Sequence, residues 1–308
     1  MINIIGKRYI FFAFSLLIIV PGLIILAIRG VPMAIDFTGG SLIEFKFENG
    51  ALPPPAEIVS LYKELGIEDI QAQTTGEGTI IARSSFLDEQ GRTQVINALE
   101  AKFASAVTVL RFDSVGPTIG QEVASRAALA VLVAALVVIG FITFAFRGIQ
   151  NAFRYGICAI IAMFHDVLIV ISLTAIGAIL AGWQVDALFL TALLTVIGFS
   201  VQDKIVVFDR IRENSNVYRR LDFETLVNHS IIQTLQRSIN TQLMTVEFML
   251  LALALFGGVT LREFALILLV GLLSGTYSSI FIAAPILVVW QKREWRKWFR
   301  RSEAGASA

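Results

Sequence analysis

The sequence predicts a polytopic α-helical membrane protein with six transmembrane helices and a small α+β extracytoplasmic domain between the first two. Of its 308 residues, 56% are hydrophobic and 16% are charged, and the mean hydropathy is +0.74, which excludes a soluble domain of this size. Six apolar runs are each long enough to cross a hydrocarbon core of about 30 Å as helices. Between the first two runs lies a long stretch with the composition of a globular domain.

The six predicted spans are, in chain order, 9–28, 127–146, 155–180, 187–208, 240–257 and 265–290. The first apolar run exceeds the 7–15 residues of a signal-peptide core, so we expect a retained anchor. Lys and Arg concentrate in the short loops of one side, which places both termini in the cytoplasm. The expected organisation is a cytoplasmic N-terminus with the first helix, an extracytoplasmic domain, a five-helix membrane domain and a basic cytoplasmic tail, at 1–29, 30–126, 127–290 and 291–308.

The long stretch between the first two spans predicts a folded domain with alternating strands and helices. Ser41 to Phe47 alternates as a strand does, and a helical pattern follows the prolines at 53–55. Two strands, a second helix over 91–103 and a strand over 106–113 complete the pattern. The order β-α-β-β-α-β predicts a ferredoxin-like split βαβ unit.

The fourth span contains Gln202, Asp203 and Lys204 within an otherwise apolar run. An ionised group at mid-bilayer costs about 2.5–3.5 kcal/mol or more, so such residues indicate function. In an alternative interpretation the helix ends near Val201 and these residues are interfacial. The apolar pattern resumes at Ile205, which favours burial.

The third span carries His165 and Asp166 near mid-membrane. Adjacent helical positions diverge by about 100°, so we expect that only one of the two side chains lines an ion route. For His165 a hydrogen-bonded core role is an equal alternative, whereas an intramembrane carboxylate needs water or a partner. Asp166 is therefore the stronger functional candidate.

Several other kinds of chemistry are excluded or not indicated. The net charge of +1 gives no signal for nucleic acid, and the sequence has no Walker loop and no paired Cys/His cluster. The one cysteine, Cys158, lies in a span and predicts neither a disulfide framework nor a four-thiolate metal site. We therefore expect no cofactor, no metal and no enzymatic activity.

Six motifs in this order resemble those of the SecF family of bacterial protein translocase subunits: DFTGGS at 36–41, VGPTIGQEV at 115–123, HD at 165–166, GFSVQDKIVVFDRIREN at 198–214, RSINT at 237–241 and LFGG at 255–258. The family-motif positions in this chain are Asp36, Gly39, Gly40, Gly116, Pro117, Asp209, Arg210, Asn240, Gly257 and Gly258. The glycine pairs favour tight turns, and Asp209 with Arg210 favours an anchoring charge cluster.

The resemblance implies a multi-pass protein of the bacterial inner membrane that works with SecD beside the SecYEG channel. It implies use of the proton-motive force, or of Na⁺, to promote export of unfolded proteins, with YajC as a further candidate partner. SecD and SecF together resemble a resistance-nodulation-division (RND) transporter, each supplying one six-helix half. The implied ion-coupling residues are Asp203 with Arg237, and Asp166 with His165. Membrane lipid surrounds such a protein.

The chemistry of these residue types agrees with that implication. A nearby guanidinium favours the ionised form of a buried carboxylate, so relative movement of the two groups changes proton binding. A charge crossing 100 mV releases about 2.3 kcal/mol, enough to bias a conformational equilibrium. Without the resemblance, the sequence favours Arg237 as an ordinary positive-inside flanking residue.

Two residues depart from the family pattern. Most members have a small polar residue after the membrane aspartate and an apolar one in the fifth span, where this chain has Lys204 and Glu247. Their heights above the cytoplasmic boundary differ by roughly 6 Å, within reach of the two side chains. We therefore predict an interhelical Lys204–Glu247 ion pair, because either charge alone in the membrane is costly.

Two other functions remain as alternatives. One is a free-standing RND-type small-molecule or lipid transporter half, since fold does not fix function. The other is an intramembrane aspartyl hydrolase using Asp166 and Asp203, which requires two carboxylates that share a proton. Dependence on a SecD partner, or peptidase activity of the purified protein, distinguishes these alternatives from the family function.

Overall fold

The computed structural model describes residues 3–75, 78–147, 152–242 and 248–294. Two compact units divide the chain. The first comprises Met1–Gly30, Val131–Ile176 and Leu188–Ala308, and the second comprises Val31–Ala130 and Gly177–Ala187. The first unit is helical, and the second contains a four-stranded sheet.

Long helices dominate the chain. They are α1 (Arg8–Arg29), α5 (Pro117–Ala145), α6 (Ala152–Ala181), α7 (Ala187–Val217), α8 (Phe223–Gln242), α9 (Phe248–Phe256), α10 (Val259–Ser278) and α11 (Ala284–Gln291). A 3₁₀ turn, Ile5–Lys7, precedes α1, and a π-helical turn, Ser279–Ala283, joins α10 to α11. α1 ends where Gly30 adopts a φ of 76°, a conformation that glycine accepts without a Cβ penalty.

Five helices within the described residues are long and apolar enough to cross a membrane: Ile5–Arg29, Pro117–Ala145, Ala152–Ala181, Ala187–Val217 and Leu261–Gln291. Each contains most or all of one predicted span. The second helix begins at Pro117, ten residues before the predicted start, because proline suits the first helical position. The remaining predicted span, 240–257, falls partly on residues 243–247, which lie outside the described residues.

The second unit has the element order β-α-β-β-α-β. After a short helix α2 (Ile35–Thr38) come β1 (Gly40–Phe47), α3 (Pro55–Glu64), β2 (Gln71–Thr74), β3 (Ile80–Ser84), α4 (Glu89–Phe103) and β4 (Val107–Val115). The sheet order is β2-β3-β1-β4, and every neighbouring pair is antiparallel. Asp88 caps α4 by accepting a hydrogen bond from the Gly91 amide at 2.7 Å.

The core of this unit forms where the inward face of the sheet meets α3 and α4. Phe45, Ile58, Val95 and Leu99 are completely buried there. Alternation along β1 puts Ile43, Phe45 and Phe47 on the same face, as the strand period of two requires.

Two consecutive glycines begin β1 in backbone conformations that disfavour other residues. Gly39 and Gly40 have φ angles of 75° and 124°. A Cβ on Gly39 would lie 2.7 Å from Pro117 Cα, and one on Gly40 would lie 2.6 Å from the Ser84 carbonyl oxygen. The turn therefore needs glycine both for its dihedral angles and for its close approaches.

The helices of the first unit also pack closely at glycine. A Cβ on Gly22 of α1 would lie 2.4 Å from Ser172 Cα of α6, and one on Gly271 of α10 would lie 2.3 Å from Val196 Cγ2 of α7. Small residues at these points let helix backbones approach, which drives helix association in membranes. This packing places α1, α6, α7 and α10 around the charged residues described next.

Candidate functional site

A buried ion pair joins α6 to α7. Lys204 Nζ lies 2.7 Å from Asp166 Oδ2, and the exposed fractions of the two residues are 0% and 1%. Asp166 lies near the middle of α6 and Lys204 near the middle of α7. Two opposite charges in such a position must compensate each other, because an isolated ion there is strongly disfavoured.

Three serine hydroxyls complete the environment of this pair. Ser200 and Ser278 each donate to Asp166 Oδ2 at 2.7 Å, and Ser274 donates to Asp166 Oδ1 at 2.7 Å. Ser274 and Ser278 lie four residues apart on α10, so their side chains share one face of that helix. The carboxylate is thus held by an ammonium and by hydroxyls from two different helices.

His165 also contacts this carboxylate. Its Nδ1 lies 3.1 Å from Asp166 Oδ1, and its ring stacks on Tyr277 with centroids 6.1 Å apart. The divergence of adjacent helical positions therefore does not keep the two side chains apart, because the imidazole folds back onto its neighbour. Among the described residues, the buried Nε2 of His165 has no hydrogen-bond partner.

A cavity of about 230 Å³ adjoins His165 and is lined mainly by apolar side chains of α1, α6 and α10. Ser15, Ser274 and Tyr277 are its other polar lining residues. Ser15 donates to the Tyr277 hydroxyl at 3.3 Å, and Tyr277 donates to the Phe11 carbonyl at 2.9 Å. The His165 side chain therefore lies between this cavity and the carboxylate of Asp166.

Asp203 precedes Lys204 but takes different partners. Its Oδ1 accepts from Ser238 of α8 at 3.2 Å, and its Oδ2 accepts from Ser279 of the π-helical turn at 3.1 Å. The residue is 8% exposed. Two consecutive residues of α7 thus contact two consecutive serines: Asp203 contacts Ser279, and Lys204 contacts Ser278. The π-helical turn begins at Ser279, and π-helical turns of this kind often occur at functional sites.

Asp203 and Arg237 line the same small cavity of about 60 Å³ between α7 and α8. Arg237 is exposed at this position, and Gln202, Ser238 and Thr241 are the cavity's other polar lining residues. The carboxylate of Asp203 thus shares the lining of a small cavity with a guanidinium, whereas Asp166 is buried against an ammonium. The two intramembrane carboxylates have different environments.

Of the three polar residues in the fourth span, Lys204 and Asp203 are buried and Gln202 is exposed. The helix α7 continues to Val217, so the alternative in which it ends near Val201 is wrong. Glu247, the predicted partner of Lys204, lies outside the described residues, and its pairing stays a prediction. In the described part of the chain, Asp166 is the acid that pairs with Lys204.

Near the predicted cytoplasmic end of α7, the charged residues form exposed local pairs. Asp209 accepts from Arg212 at 2.6 Å, and Arg210 contacts Glu213 at 2.8 Å and Gln233 at 2.7 Å. Exposed pairs of this kind contribute little to stability.

The other family-motif residues occupy connections and helix ends. Asp36 accepts a hydrogen bond from the Ala187 amide at 3.0 Å. Gly116 precedes α5, which Pro117 begins, and Asn240 is exposed on α8. Gly257 follows α9, and Gly258 is the extended N-cap of α10. These positions determine where chain segments turn.

The serines around the two carboxylates are the part of the site that sequence reasoning missed. Isolated helical serines are common and carry no signal of their own. The sequence SGTYSS at 274–279 nevertheless places two hydroxyls four residues apart within an apolar span, a pattern that indicates a polar helix face. Ser200 has the same relation to Lys204.

Comparison of the chain with known proteins shows its family. Residues 94–293 match "Protein export membrane protein SecD/SecF, C-terminal", and residues 24–51 match the "SecD/SecF GG Motif". The chain is 69% identical over its whole length to the protein translocase subunit SecF of Anaerolinea thermophila, and the match covers 100% of both chains. It is 36% identical to SecDF of Thermus thermophilus over 93% of this chain and 38% of that protein.

Solved structures show the same relationship. The crystal structure of SecDF from Thermus thermophilus superposes with a TM-score of 0.81 at 32% identity, over 94% of this chain and 39% of that one. SecDF in its super-membrane-facing form gives a TM-score of 0.66 at 33% identity, over 100% of this chain and 40% of that one. This chain therefore spans about two fifths of the SecDF chain.

Proposed function

Because this chain belongs to the SecD/SecF family of protein export membrane proteins, we propose that it is the SecF-type subunit of a Sec export machinery and couples ion movement to translocation. The coupling ion is a proton driven by the proton-motive force. The observation that carries this proposal is the arrangement of Asp203, which is buried, accepts hydrogen bonds from two hydroxyls among the described residues and lines one small cavity with Arg237.

The chemistry of that cavity supports proton coupling. Asp203 has no direct ion pair among the described residues, so a change in the position of Arg237 changes how strongly its ionised form is stabilised. The protonation state of Asp203 then depends on the position of α8 relative to α7. A proton crossing 100 mV supplies about 2.3 kcal/mol, which shifts a two-state equilibrium more than tenfold.

Asp166 has a different role in this proposal. Its pair with Lys204 and its three serine donors stabilise one charge state in the interior of the unit. We therefore assign proton exchange to Asp203 with Arg237, and we assign Asp166 to maintaining the helix arrangement. His165 supports the orientation of Asp166 through its 3.1 Å contact.

We further propose the finer architecture of this family. Residues 240–257 supply the fifth of the six spans, so that the membrane domain is one RND-type half of six helices. The strand order β2-β3-β1-β4 supports a ferredoxin-like unit for the second compact unit. The domain limits are 1–29, 30–126, 127–290 and 291–308. Both termini lie in the cytoplasm of a bacterial inner membrane and residues 30–126 lie outside, following the distribution of Lys and Arg.

The proposed partner is SecD, which supplies the other half of the transporter-like membrane domain. Support comes from the relatives: a full-length match is named protein translocase subunit SecF, and a longer one, SecDF, carries both subunit names in one chain. SecYEG, with YajC as an accessory, and exported unfolded proteins complete the assembly.

Complementation tests this proposal. Cells depleted of their SecF are supplied with this chain and its cognate SecD, and export of a secreted reporter is measured at equal membrane abundance. We expect Asp203→Asn to abolish the export gain, because an amide cannot exchange a proton. The matched control is Asp209→Asn on the same helix, where the carboxylate is exposed and pairs with Arg212; it should retain export. Full export by Asp203→Asn contradicts the assignment of the coupling residue.

The transporter alternative makes a different prediction in the same cells. A free-standing transporter half would act without SecD, whereas the proposed subunit would lose its effect when SecD is omitted. Activity that persists without SecD therefore favours the alternative.

A further inference from the structure

The ammonium of Lys204 is surrounded by more oxygen atoms than it has protons. Among the described residues, four oxygens lie near Nζ: Asp166 Oδ2 at 2.7 Å, Ser200 Oγ at 2.5 Å, Ser278 Oγ at 2.9 Å and the Ser200 carbonyl at 3.2 Å. An ammonium group has three N–H donors. A shell of one carboxylate, two hydroxyls and one carbonyl is the set of ligands that hard cations take in proteins.

The charge of this shell suits a monovalent ion. Asp166 supplies one formal negative charge, and Ser200 and Ser278 are neutral. The side chains that face Nζ come from α6, α7 and α10, and His165 contacts the opposite carboxylate oxygen, Oδ1. A second positive charge would leave the interior with an uncompensated ion. The site therefore balances one positive charge.

The backbone beside the shell also has an irregular geometry. Ser278 is the last residue of α10, and the π-helical turn Ser279–Ala283 begins immediately after it. Interrupted helices supply ion ligands in membrane transporters, because irregular backbone is tolerated where it lines a polar site. The shell of Lys204 is such a polar site, and its members are almost completely buried.

We propose that this shell is a monovalent cation site in which the Lys204 ammonium takes the place of a free alkali cation. The tethered ammonium occupies the position permanently, so the native membrane core needs no Na⁺ or K⁺ there. Removing the ammonium opens a site of four oxygens for Na⁺ or K⁺. This inference concerns binding chemistry, and its test does not depend on protein export.

Thermal unfolding of purified, detergent-solubilised protein provides the test. Lys204→Ala is melted in NaCl, KCl and choline chloride at equal ionic strength. We expect NaCl or KCl to raise its melting temperature saturably above the value in choline, on the order of 5 °C when the cation is present at about a hundred times its Kd. Native protein should melt at the same temperature in all three salts.

Two controls make the result specific to this shell. Lys204→Ala combined with Asp166→Asn removes the anionic ligand and should lose the cation response. Lys102→Ala removes an ammonium that pairs with Glu64 at 3.4 Å in the second unit. Like the native protein, this variant should melt at the same temperature in all three salts. A response of the same size in the double variant overturns the assignment, because the cation would then bind elsewhere.

Absence of a response also overturns the proposal. If Lys204→Ala melts equally in all three salts, the oxygens form only an ion-pair environment. Should Lys204→Ala not yield folded protein, Lys204→Ser is tested in the same way. Failure of both variants to fold when prepared in NaCl or in KCl contradicts the inference, because a cation in the vacant shell would compensate Asp166.

Discussion

The coupling between Asp166 and Lys204 is measurable with a double-mutant cycle. The variants are Asp166→Asn, Lys204→Met and their combination. Asp166→Asn leaves a completely buried ammonium whose remaining hydrogen-bond partners in the described part of the chain are neutral oxygens. Removing one partner of a buried pair typically costs about 3–5 kcal/mol, and we expect that loss here.

The two single variants should differ. Lys204→Met leaves a carboxylate that still accepts three serine hydrogen bonds and contacts His165. A hydrogen bond to a charged group contributes about 1.5–3 kcal/mol, so this loss should be smaller, about 2–3 kcal/mol. The double variant buries no charge and should lie within about 2 kcal/mol of native protein.

Thermal unfolding in choline chloride measures the cycle without Na⁺ or K⁺ in the vacated position. We expect a coupling free energy of at least about 3 kcal/mol and a fall of the order of 6 °C or more for Asp166→Asn. Additive losses in the double variant would refute the reasoning, because they would mean that the two charges do not compensate each other. A larger loss for Lys204→Met than for Asp166→Asn would refute the role given to the serines.

Three further predictions concern packing, pH and a buried hydroxyl. Gly22→Ala should lower stability by about 1–3 kcal/mol in thermal unfolding, because its Cβ would lie 2.4 Å from Ser172 Cα and a helix must move; an unchanged melting temperature contradicts this close contact. The hydrogen bond from Lys292 holds the pKa of Glu224 below its ordinary value of 4.5. The contribution of ionised Glu224 to stability is therefore complete above that value and is lost as the pH falls through the lower pKa of the folded protein. Below pH 5 the melting temperature should therefore decrease less steeply with falling pH for Glu224→Gln than for native protein. Equal slopes would contradict this prediction. Tyr62→Phe should leave the second unit equally stable or stabilise it by about 1 kcal/mol in chemical denaturation, because the buried Tyr62 hydroxyl has no hydrogen-bond partner among the described residues. A large loss of stability would indicate a bound water.

Much of the fold was predictable because its signals are local. Apolar length alone located five helices capable of crossing a membrane, since a bilayer sets a minimum run of hydrophobic residues. Period-two and helical patterns predicted the elements of the second unit, including the helix at 91–103 that the structure places at Glu89–Phe103. Helix starts were less accurate, because caps and Pro117 extend helices beyond their apolar segments.

The candidate site was predictable only in part. The anomaly of charge within an apolar run indicated Asp203, Lys204 and Asp166, because such residues are costly in a membrane. The serine donors were not indicated, since a hydroxyl costs little on a helix whether or not it has a partner. The contact between His165 and Asp166 was also missed, because the side-chain torsions that bring adjacent residues together are not contained in helix periodicity.

The sequence by itself determined that this is a membrane protein, which five described segments are long and apolar enough to cross, and which charged residues lie within them. These properties follow from the composition of short segments. Only the tertiary structure decided which acid faces Lys204. Asp166 is 38 residues away on a different helix, and Asp203, its immediate neighbour, turns towards α8 instead. The physical reason is that pairing depends on how helices rotate and pack around glycine contacts, a property of the assembled unit that no single segment contains.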